Sequence, residues 1–551
     1  MCLRIPWHAN GRCGLSTITE TPEDTSKRKG AGELTRFAAT FAGGTMLSRV
    51  LGLARDMVFA HAIPGAPLGA FLFAFSLPNM LRDMLGEGAV NAALVPVFAS
   101  TRETASKEEY RRAVASVMSL MLLIFAVVTV IGVLLFPFTP TVLAALRPIT
   151  GRTLPQSDAE LSELVRLMQW TFPYLFFIGA AVFAMAPLFV AKRYATPSWT
   201  PMLLNIAFIL CTLMFRNRFE NPAWALVVGV WLGGLAQMTV LWWDMFRHVG
   251  VVLPNFRLRH TAVPQTLWLL LPVIMGQAAG EVNKVVDRFF ALSLGEDKVL
   301  ALYISNRLVQ LPLAIFGVAV AVSILPALSN AHTRGDSTQQ RTVLVHGLRQ
   351  SFFLTLPAMT ALIVLRVPVI QLLFQRGAFD ATATHQAAGA LLYAAMGLVS
   401  FAWVKVLVQG FYAQHNTRTP VIIATCSMVL NIVLNIALVR PMGYQGLALS
   451  TSLSFTVNFL ALYVVLNKQM GGLHDSGFVR GLLIMILGAG TLGVSASGSL
   501  HLLTNWIGTA TFWTLLATLT GASLAGGFAY AAVCTVFALP ELRSLWRRIM
   551  P

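Results

Sequence analysis

Four arginines in otherwise apolar segments are the residues of this chain best suited to chemistry. Arg49 and Arg55 lie in the segment SRVLGLARD, Arg82 lies in LPNMLRD and Arg307 lies in SNRLVQLP. An arginine at the centre of a membrane costs about 2.5–3.5 kcal/mol, so such residues are expected to line a wet cavity instead of facing lipid. A planar guanidinium binds phosphate oxygens in pairs. The four arginines therefore predict a basic cavity that holds an anion such as a diphosphate.

Carboxylates near these arginines offer a second interpretation. The predicted cavity acids are Asp56, Asp83 and Glu87. Arg55 and Arg82 each stand directly beside one of them, so their charges could join helices instead of binding a ligand. Arg307 has no acid within one helical turn. For Arg49 and Arg307 we therefore favour ligand binding, whereas both interpretations stay open for Arg55 and Arg82.

A second polar cluster is rich in oxygen. Its members are Asp287, Asn431, Asn435 and Thr451. The two asparagines are four residues apart and share a helix face. Carboxylate, amide and hydroxyl oxygens are the ligands of a hard cation, so the set is a candidate sodium site. The alternatives are hydrogen bonding between helices, or pairing of Asp287 with Lys284 or Arg288.

The sequence contains none of the usual catalytic motifs. HExxH, a P-loop, GxSxG and a paired Cys/His ligand set are all missing, and the five cysteines show no CxxC spacing. The loops between apolar segments are too short for a catalytic domain. We therefore predict that the protein is not an enzyme and has no cofactor, apart from the candidate sodium ion.

The composition predicts an all-α polytopic membrane protein. The 551 residues are 56% hydrophobic and only 11% charged, with a mean hydropathy of +0.69, whereas soluble domains carry about 25% charged residues. One span needs about 20 helical residues, and the alternation of β-barrel strands is not seen. We predict about fourteen transmembrane helices, near residues 35–62, 68–100, 113–138, 162–190, 199–215, 223–246, 264–294, 300–330, 346–373, 385–413, 419–439, 444–467, 478–501 and 507–537.

An internal repeat groups these helices. AKRYATP at 191–197 precedes an LNI motif at 204–206, and AQHNTRTP at 413–420 precedes LNI at 430–432. The repeat predicts two six-helix lobes of the same orientation with a site between them, plus two C-terminal helices. The predicted units are a disordered cytoplasmic N-terminal extension (1–33), an N-lobe with helices 1–6 (34–247), a C-lobe with helices 7–12 (248–470), and helices 13–14 with a basic tail (471–551).

Basic loop residues predict the orientation. With the N-terminus inside, cytoplasmic loops hold roughly twice as many basic residues as outer loops. An even number of spans then places both termini in the cytoplasm. Because the positive charge is divided among loops and spans, we expect membrane lipid and no nucleic acid among the partners.

The motifs at 48–56 and 77–82 resemble the MurJ (MviN) lipid II flippases of the MOP superfamily. Further similar segments are VDR at 286–288, NRL at 306–308, LPALS at 325–329 and FQRG at 374–377, so the resemblance runs from about residue 35 to about 470. It implies a central cationic cavity with Arg49, Arg55, Arg82 and Arg307 as its arginines, and a lipid-tail groove formed by the last two helices. It also implies alternating access, in which the peptidoglycan precursor lipid II moves from the cytoplasmic to the periplasmic leaflet of the inner membrane.

Four positions depart from the pattern of some family members. Gly69, Gln310 and Asn435 stand where some members have acids, and Asp83 stands where some have a second basic residue. Fewer acids weaken the case for coupling to a cation. The alternatives are a MOP-superfamily exporter of another lipid-linked oligosaccharide or of a drug, and a non-transporting scaffold for cell-wall synthases, which are also candidate partners.

Overall fold

The computed structural model describes residues 43–84 except 45, then 93–150, 157–256, 258–473 and 476–542. These residues form helices and connecting turns without β-strands, which confirms the all-α prediction. The helices are α1 (46–62), α2 (Gly65–Asp83), α3 (Val95–Thr104), α4 (Lys107–Leu135), α5 (Thr139–Thr150), α6 (Asp158–Thr171), α7 (Tyr174–Val190), α8 (Ala195–Trp199), α9 (Pro201–Phe215), α10 (Ala223–Val249), α11 (Ala262–Leu294), α12 (Glu296–Pro312), α13 (Ala319–Thr333), α14 (Ser337–Val364), α15 (Arg366–Phe374), α16 (Ala381–Met396), α17 (Leu398–Ala413), α18 (Arg418–Met442), α19 (Tyr444–Gln469), α20 (Ser476–Ile507) and α21 (Phe512–Val536).

Eleven helical segments within the described residues are long and apolar enough to cross a membrane. They match eleven of the fourteen predicted spans. The first two predicted spans run into residues outside the described part of the chain, and α11 contributes a shorter apolar stretch, Ala262–Ile274. The number fourteen thus stays a prediction. The N-terminal extension and Glu87 also lie outside the described residues.

The eighth predicted span is broken near its middle. Helix α12 ends at Pro312, a π-helical turn follows over Leu313–Val318, and α13 then continues. Proline lacks the N–H that would continue the regular hydrogen bonds, so a wider turn forms at this point. The break lies five residues after Arg307.

The N-terminal and C-terminal helices pack as two groups, called here the N-lobe and the C-lobe. Helix α10 packs on α7 and α9 in the first group, while α14, α17 and α19 pack together in the second. The last pair, α20 and α21, packs on α14. There, Arg349 Nε lies 2.5 Å from Glu541 Oε1, and both side chains are largely buried. The predicted boundaries between the units stay a prediction.

The two groups meet at the end of the molecule where α1 passes into α2, called here the α1–α2 end. Helices α2 and α12 pack closely, and Gly69 lies so near the backbone of Glu296 that a Cβ would clash with it. The Ala378 N–H donates to the His61 carbonyl at 3.0 Å. Arg440 donates to the Ile149 carbonyl at 3.0 Å. The contacts close the space between the lobes at the α1–α2 end.

Candidate anion-binding site between the lobes

One buried carboxylate joins α1 of the N-lobe to α12 of the C-lobe. Arg55 Nη2 donates to Asp56 Oδ1 at 2.7 Å, and the Tyr303 hydroxyl donates to the same oxygen at 3.0 Å. Arg307 Nε lies 2.9 Å from Asp56 Oδ2, at an angle that makes an ion pair but no hydrogen bond. The Asp56 side chain is 2% exposed. We call these four side chains the Asp56 junction.

Within the junction, Arg55 is held on several sides. Its Nη1 donates to Asn205 Oδ1 at 3.0 Å, and Asn205 Nδ2 donates to the Ser48 carbonyl at 3.3 Å. The guanidinium lies 5.4 Å from the Phe59 ring centroid and 5.5 Å from that of Phe208, within range for cation–π attraction. Arg55 therefore connects helices in this conformation, as the second interpretation of its sequence position proposed.

Arg307 is less constrained than Arg55. Its side chain is 27% exposed, against 13% for Arg55. Its Nη2 would lie 2.4 Å from a Cβ at position 52, so Gly52 is the residue that lets the guanidinium approach α1. The sequence shows no acid within one turn of Arg307, yet the fold supplies Asp56 from the other lobe. The exposed part of the Arg307 side chain remains available to a ligand.

The other two predicted arginines differ from this pair. Arg49 is exposed, and no carboxylate lies within ion-pair distance of it among the described residues. Arg82 Nη2 lies 2.8 Å from Asp83 Oδ1, and these side chains are 30% and 39% exposed. Exposed pairs of this kind contribute about 0–1 kcal/mol. An anionic ligand can therefore compete with Asp83 for Arg82 at little cost.

Electrostatic neighbours link Arg82 to the junction. Tyr174 lies within electrostatic range of both Arg55 and Arg82. Arg288 lies within range of Tyr303 of the junction and also of Asp83. The four predicted arginines carry two more charges than Asp56 and Asp83 balance, before Arg288 is counted. The excess positive charge favours an anion with two negative charges.

The predicted oxygen cluster forms, but hydrogen bonds already join its members. Asn435 Nδ2 donates to Asp287 Oδ1 at 2.6 Å and to Asn431 Oδ1 at 3.0 Å. Thr451 Oγ1 donates to Asp287 Oδ2 at 3.4 Å. If the Asn431 amide is turned over, its nitrogen instead donates to Asp287 Oδ1 and Asn283 Oδ1, each at 3.0 Å. In both orientations amide hydrogens satisfy the carboxylate.

These residues do not fit a sodium ion in the described arrangement. A cation needs several oxygens with free lone pairs at one point, whereas here an amide nitrogen occupies the space beside Asp287. The cluster has one carboxylate, and within the described residues no three His, Cys, Asp or Glu side chains could hold a metal together. The geometry corresponds to the alternative of interhelical hydrogen bonding.

Tyr303 is the junction residue that the sequence analysis missed. It lies four residues before Arg307, so the two side chains share one face of α12. A tyrosine one turn from a membrane-depth arginine is a signal that could have identified it. The partner carboxylate is 247 residues away in the chain, and no local pattern indicates such a pairing.

Comparison with known proteins identifies the family. The model of the family "Lipid II flippase MurJ" matches residues 60–524. A probable lipid II flippase MurJ of Vibrio cholerae is 36% identical over 429 residues, covering 77% of this chain and 81% of the relative. The lipid II flippase MurJ of Burkholderia cenocepacia is 31% identical over 462 residues, covering 83% and 88%.

Solved structures share the fold. A lipid II flippase MurJ in an inward closed conformation superposes with a TM-score of 0.73 at 23% identity, covering 90% of this chain and 98% of that one. An inward-facing MATE multidrug transporter of the MOP superfamily gives a TM-score of 0.64 at 15% identity, covering 79% and 98%. The chain thus shares the fold of these two transporters, and by its sequence it belongs to the MurJ lipid II flippase family.

Proposed function

We propose that this protein moves lipid II across the inner membrane by alternating access, with the Asp56 junction as the central part of its site. The observation that carries the proposal is that two arginines from different lobes share one buried carboxylate. Two guanidinium groups thus face one carboxylate, which leaves one positive charge unbalanced. The charge lies at the contact between the lobes, which must open and close during transport. A diphosphate offers charge-assisted acceptors to both arginines at once.

The geometry suggests how binding and movement are linked. The ion pair between Arg307 and Asp56 joins the lobes close to the α1–α2 end. A diphosphate that binds Arg307 competes with Asp56, because both are anions facing the same guanidinium. Loss of the ion pair weakens the contact between α1 and α12. Substrate binding then favours separation of the lobes at the α1–α2 end, which would deliver the headgroup to the other side.

The membrane potential is the driving force that suits this site. For each elementary charge that crosses the membrane, the potential supplies about 2.3 kcal/mol of free energy per 100 mV. The site carries excess positive charge when no substrate is bound. We infer that the potential helps to return the cationic site to the cytoplasmic side. The hydrogen-bonded cluster at Asp287 gives no support to sodium coupling.

The protein is a multi-pass protein of the inner membrane. We propose that both termini face the cytoplasm, so that the α1–α2 end is periplasmic. Reporters fused to the C-terminus test this orientation: a fluorescent protein should be bright and alkaline phosphatase inactive. Non-enzymatic transport and association with cell-wall synthases stay predictions.

Accessibility of lipid II in cells tests the function. Cells depleted of their own flippase receive wild-type protein, Arg307→Ala or Arg307→Lys at matched membrane levels. We expect lipid II headgroups to reach the periplasm with wild-type, to stay inside with Arg307→Ala, and to reach it partly with Arg307→Lys. Full transport by Arg307→Ala would refute the role of this arginine. A scaffold should tolerate the substitution.

A further inference from the structure

A second group of positive charges lies on the C-lobe side and takes no part in the Asp56 junction. Lys405 lies near the middle of α17, and its side chain is exposed although both neighbours in the chain are buried. A lysine at membrane depth is costly in lipid, so its exposed side chain should face a wet space. Ala402, one turn before Lys405, packs against Gly317 in the π-helical turn after α12, so this part of α17 lies beside the helix that carries Arg307.

The electrostatic neighbour of Lys405 is another lysine. Lys284 on α11 lies within range of it, and like charges at close range repel each other. Lys284 Nζ pairs with Glu281 Oε1 at 2.6 Å, but its side chain remains 54% exposed. Within the described residues, no carboxylate comes within ion-pair distance of Lys405. The ion pairs of the described residues therefore offer no reason for this cation.

Arg288 connects the two lysines to the predicted binding site. It lies four residues after Lys284, so both share one face of α11. It also lies within electrostatic range of Tyr303 in the Asp56 junction. A row of basic residues thus runs from the junction through Arg288 and Lys284 to Lys405. The acids near Arg288 are Glu281, Asp83 and Asp287. An elongated ligand held at the junction would extend along this row.

We propose that Lys284 and Lys405 bind carboxylates of the peptide carried by the lipid-linked substrate. The inference rests on the proposed function, which assigns the diphosphate to the arginines. The rest of the substrate headgroup is a disaccharide bearing a peptide, and the carboxylates of that peptide are its remaining anionic groups. An ammonium is a compact point charge with rotatable donors that can bind a single carboxylate, and the arginines are already assigned to the diphosphate. The two lysines would thus select substrates that carry the peptide.

Binding measurements on two ligands test this assignment. Purified full-length protein in nanodiscs is titrated with lipid II and with the same diphosphate-linked disaccharide lacking the peptide. We expect Lys405→Met to weaken binding of lipid II about tenfold and to leave binding of the peptide-free lipid unchanged. Lys405→Arg, which keeps the charge, should retain most of the affinity. Lys468→Met, at the exposed end of α19, makes the same charge change away from the site and should leave both affinities unchanged.

The outcomes separate this inference from the proposed function. If Lys405→Met weakens binding of both ligands equally, the assignment of the lysines to the peptide is wrong, because Lys405 would then bind the diphosphate or the sugars. No change for either ligand would overturn it as well. Arg307→Ala should weaken the binding of both ligands. If Arg307→Ala weakens binding of both ligands while Lys405→Met changes the affinity for neither, only the peptide assignment fails. If Arg307→Ala weakens neither, the proposed function itself fails.

Discussion

Asp56→Asn should loosen the contact between the lobes at the α1–α2 end. The substitution removes the charge that attracts Arg307 across the interface and leaves an amide of almost the same size. Breaking a fully buried ion pair costs about 3–5 kcal/mol. Because Arg307 is 27% exposed, water recovers part of this energy, and we expect a cost of roughly 1.5–3 kcal/mol to the closed arrangement. Such a cost lowers its population relative to the open one by about 10-fold to 100-fold.

A disulfide across the α1–α2 end reports this population. The backbones of His61 and Ala378 touch through a 3.0 Å hydrogen bond, so cysteines at both positions should cross-link in the closed arrangement. In a background without the native cysteines, we expect fast cross-linking with wild-type Asp56 and much slower cross-linking with Asp56→Asn. Asp83→Asn is the matched control, because the ion pair of Asp83 is with its own neighbour Arg82 on the same helix. Equal rates for Asp56→Asn and the parent would refute the role of the ion pair.

Three further predictions concern other contacts. Gly52→Ala places a methyl group 2.4 Å from the Arg307 guanidinium, so we expect reduced transport at a normal protein level. Gly43→Ala is the control and should leave transport unchanged, because a Cβ at position 43 meets nothing within 4 Å. Asn435→Asp adds a second carboxylate to the oxygen cluster, so the melting temperature of this variant should be higher in NaCl than in KCl. The melting temperature of the wild-type should be the same in both salts. A sodium-specific rise in the wild-type would show that its amide groups reorient to bind the ion. Glu541→Ala leaves Arg349 buried without its carboxylate and should lower the unfolding free energy by about 3–5 kcal/mol, and an unchanged melting temperature would contradict this estimate.

The helical architecture could be predicted because lipid imposes simple rules on sequence. Long apolar segments must be helical, and eleven of the predicted spans coincide with such helices. The break after Arg307 was also foreseeable, since the span near 300–330 is longer than one membrane crossing and contains Pro312. Local sequence is sufficient in both cases, because each feature depends on residues within one segment.

The pairing of charges could not be predicted from local sequence. Arg55 lies beside Asp56 in the chain and does bind it. Arg307 binds the same carboxylate from the other lobe. That contact depends on how the lobes pack and on the missing side chain at Gly52. The sequence predicts four arginines for the site, but which of them pair with a carboxylate could be seen only in the fold.

The oxygen cluster shows the same limit. Residue types at Asp287, Asn431 and Thr451 suit a cation, and the structure does bring them together. Whether the oxygens are free depends on the direction of the amide groups. In the structure the Asn435 nitrogen points at the carboxylate. An aspartate at position 435 could not donate such hydrogen bonds. An asparagine there therefore favours a hydrogen-bonded cluster, whereas an aspartate would favour a cation site.

Transfer of lipid II by the purified protein tests the central claim most directly. Wild-type protein, Arg307→Ala and Arg307→Lys are reconstituted into vesicles that contain labelled lipid II, and the appearance of headgroups at the opposite leaflet is followed under an imposed potential. We expect rapid transfer by the wild-type, partial transfer by Arg307→Lys and at least tenfold slower transfer by Arg307→Ala, the effect of about 1.4 kcal/mol. Equal transfer rates for the wild-type and Arg307→Ala would contradict the central claim.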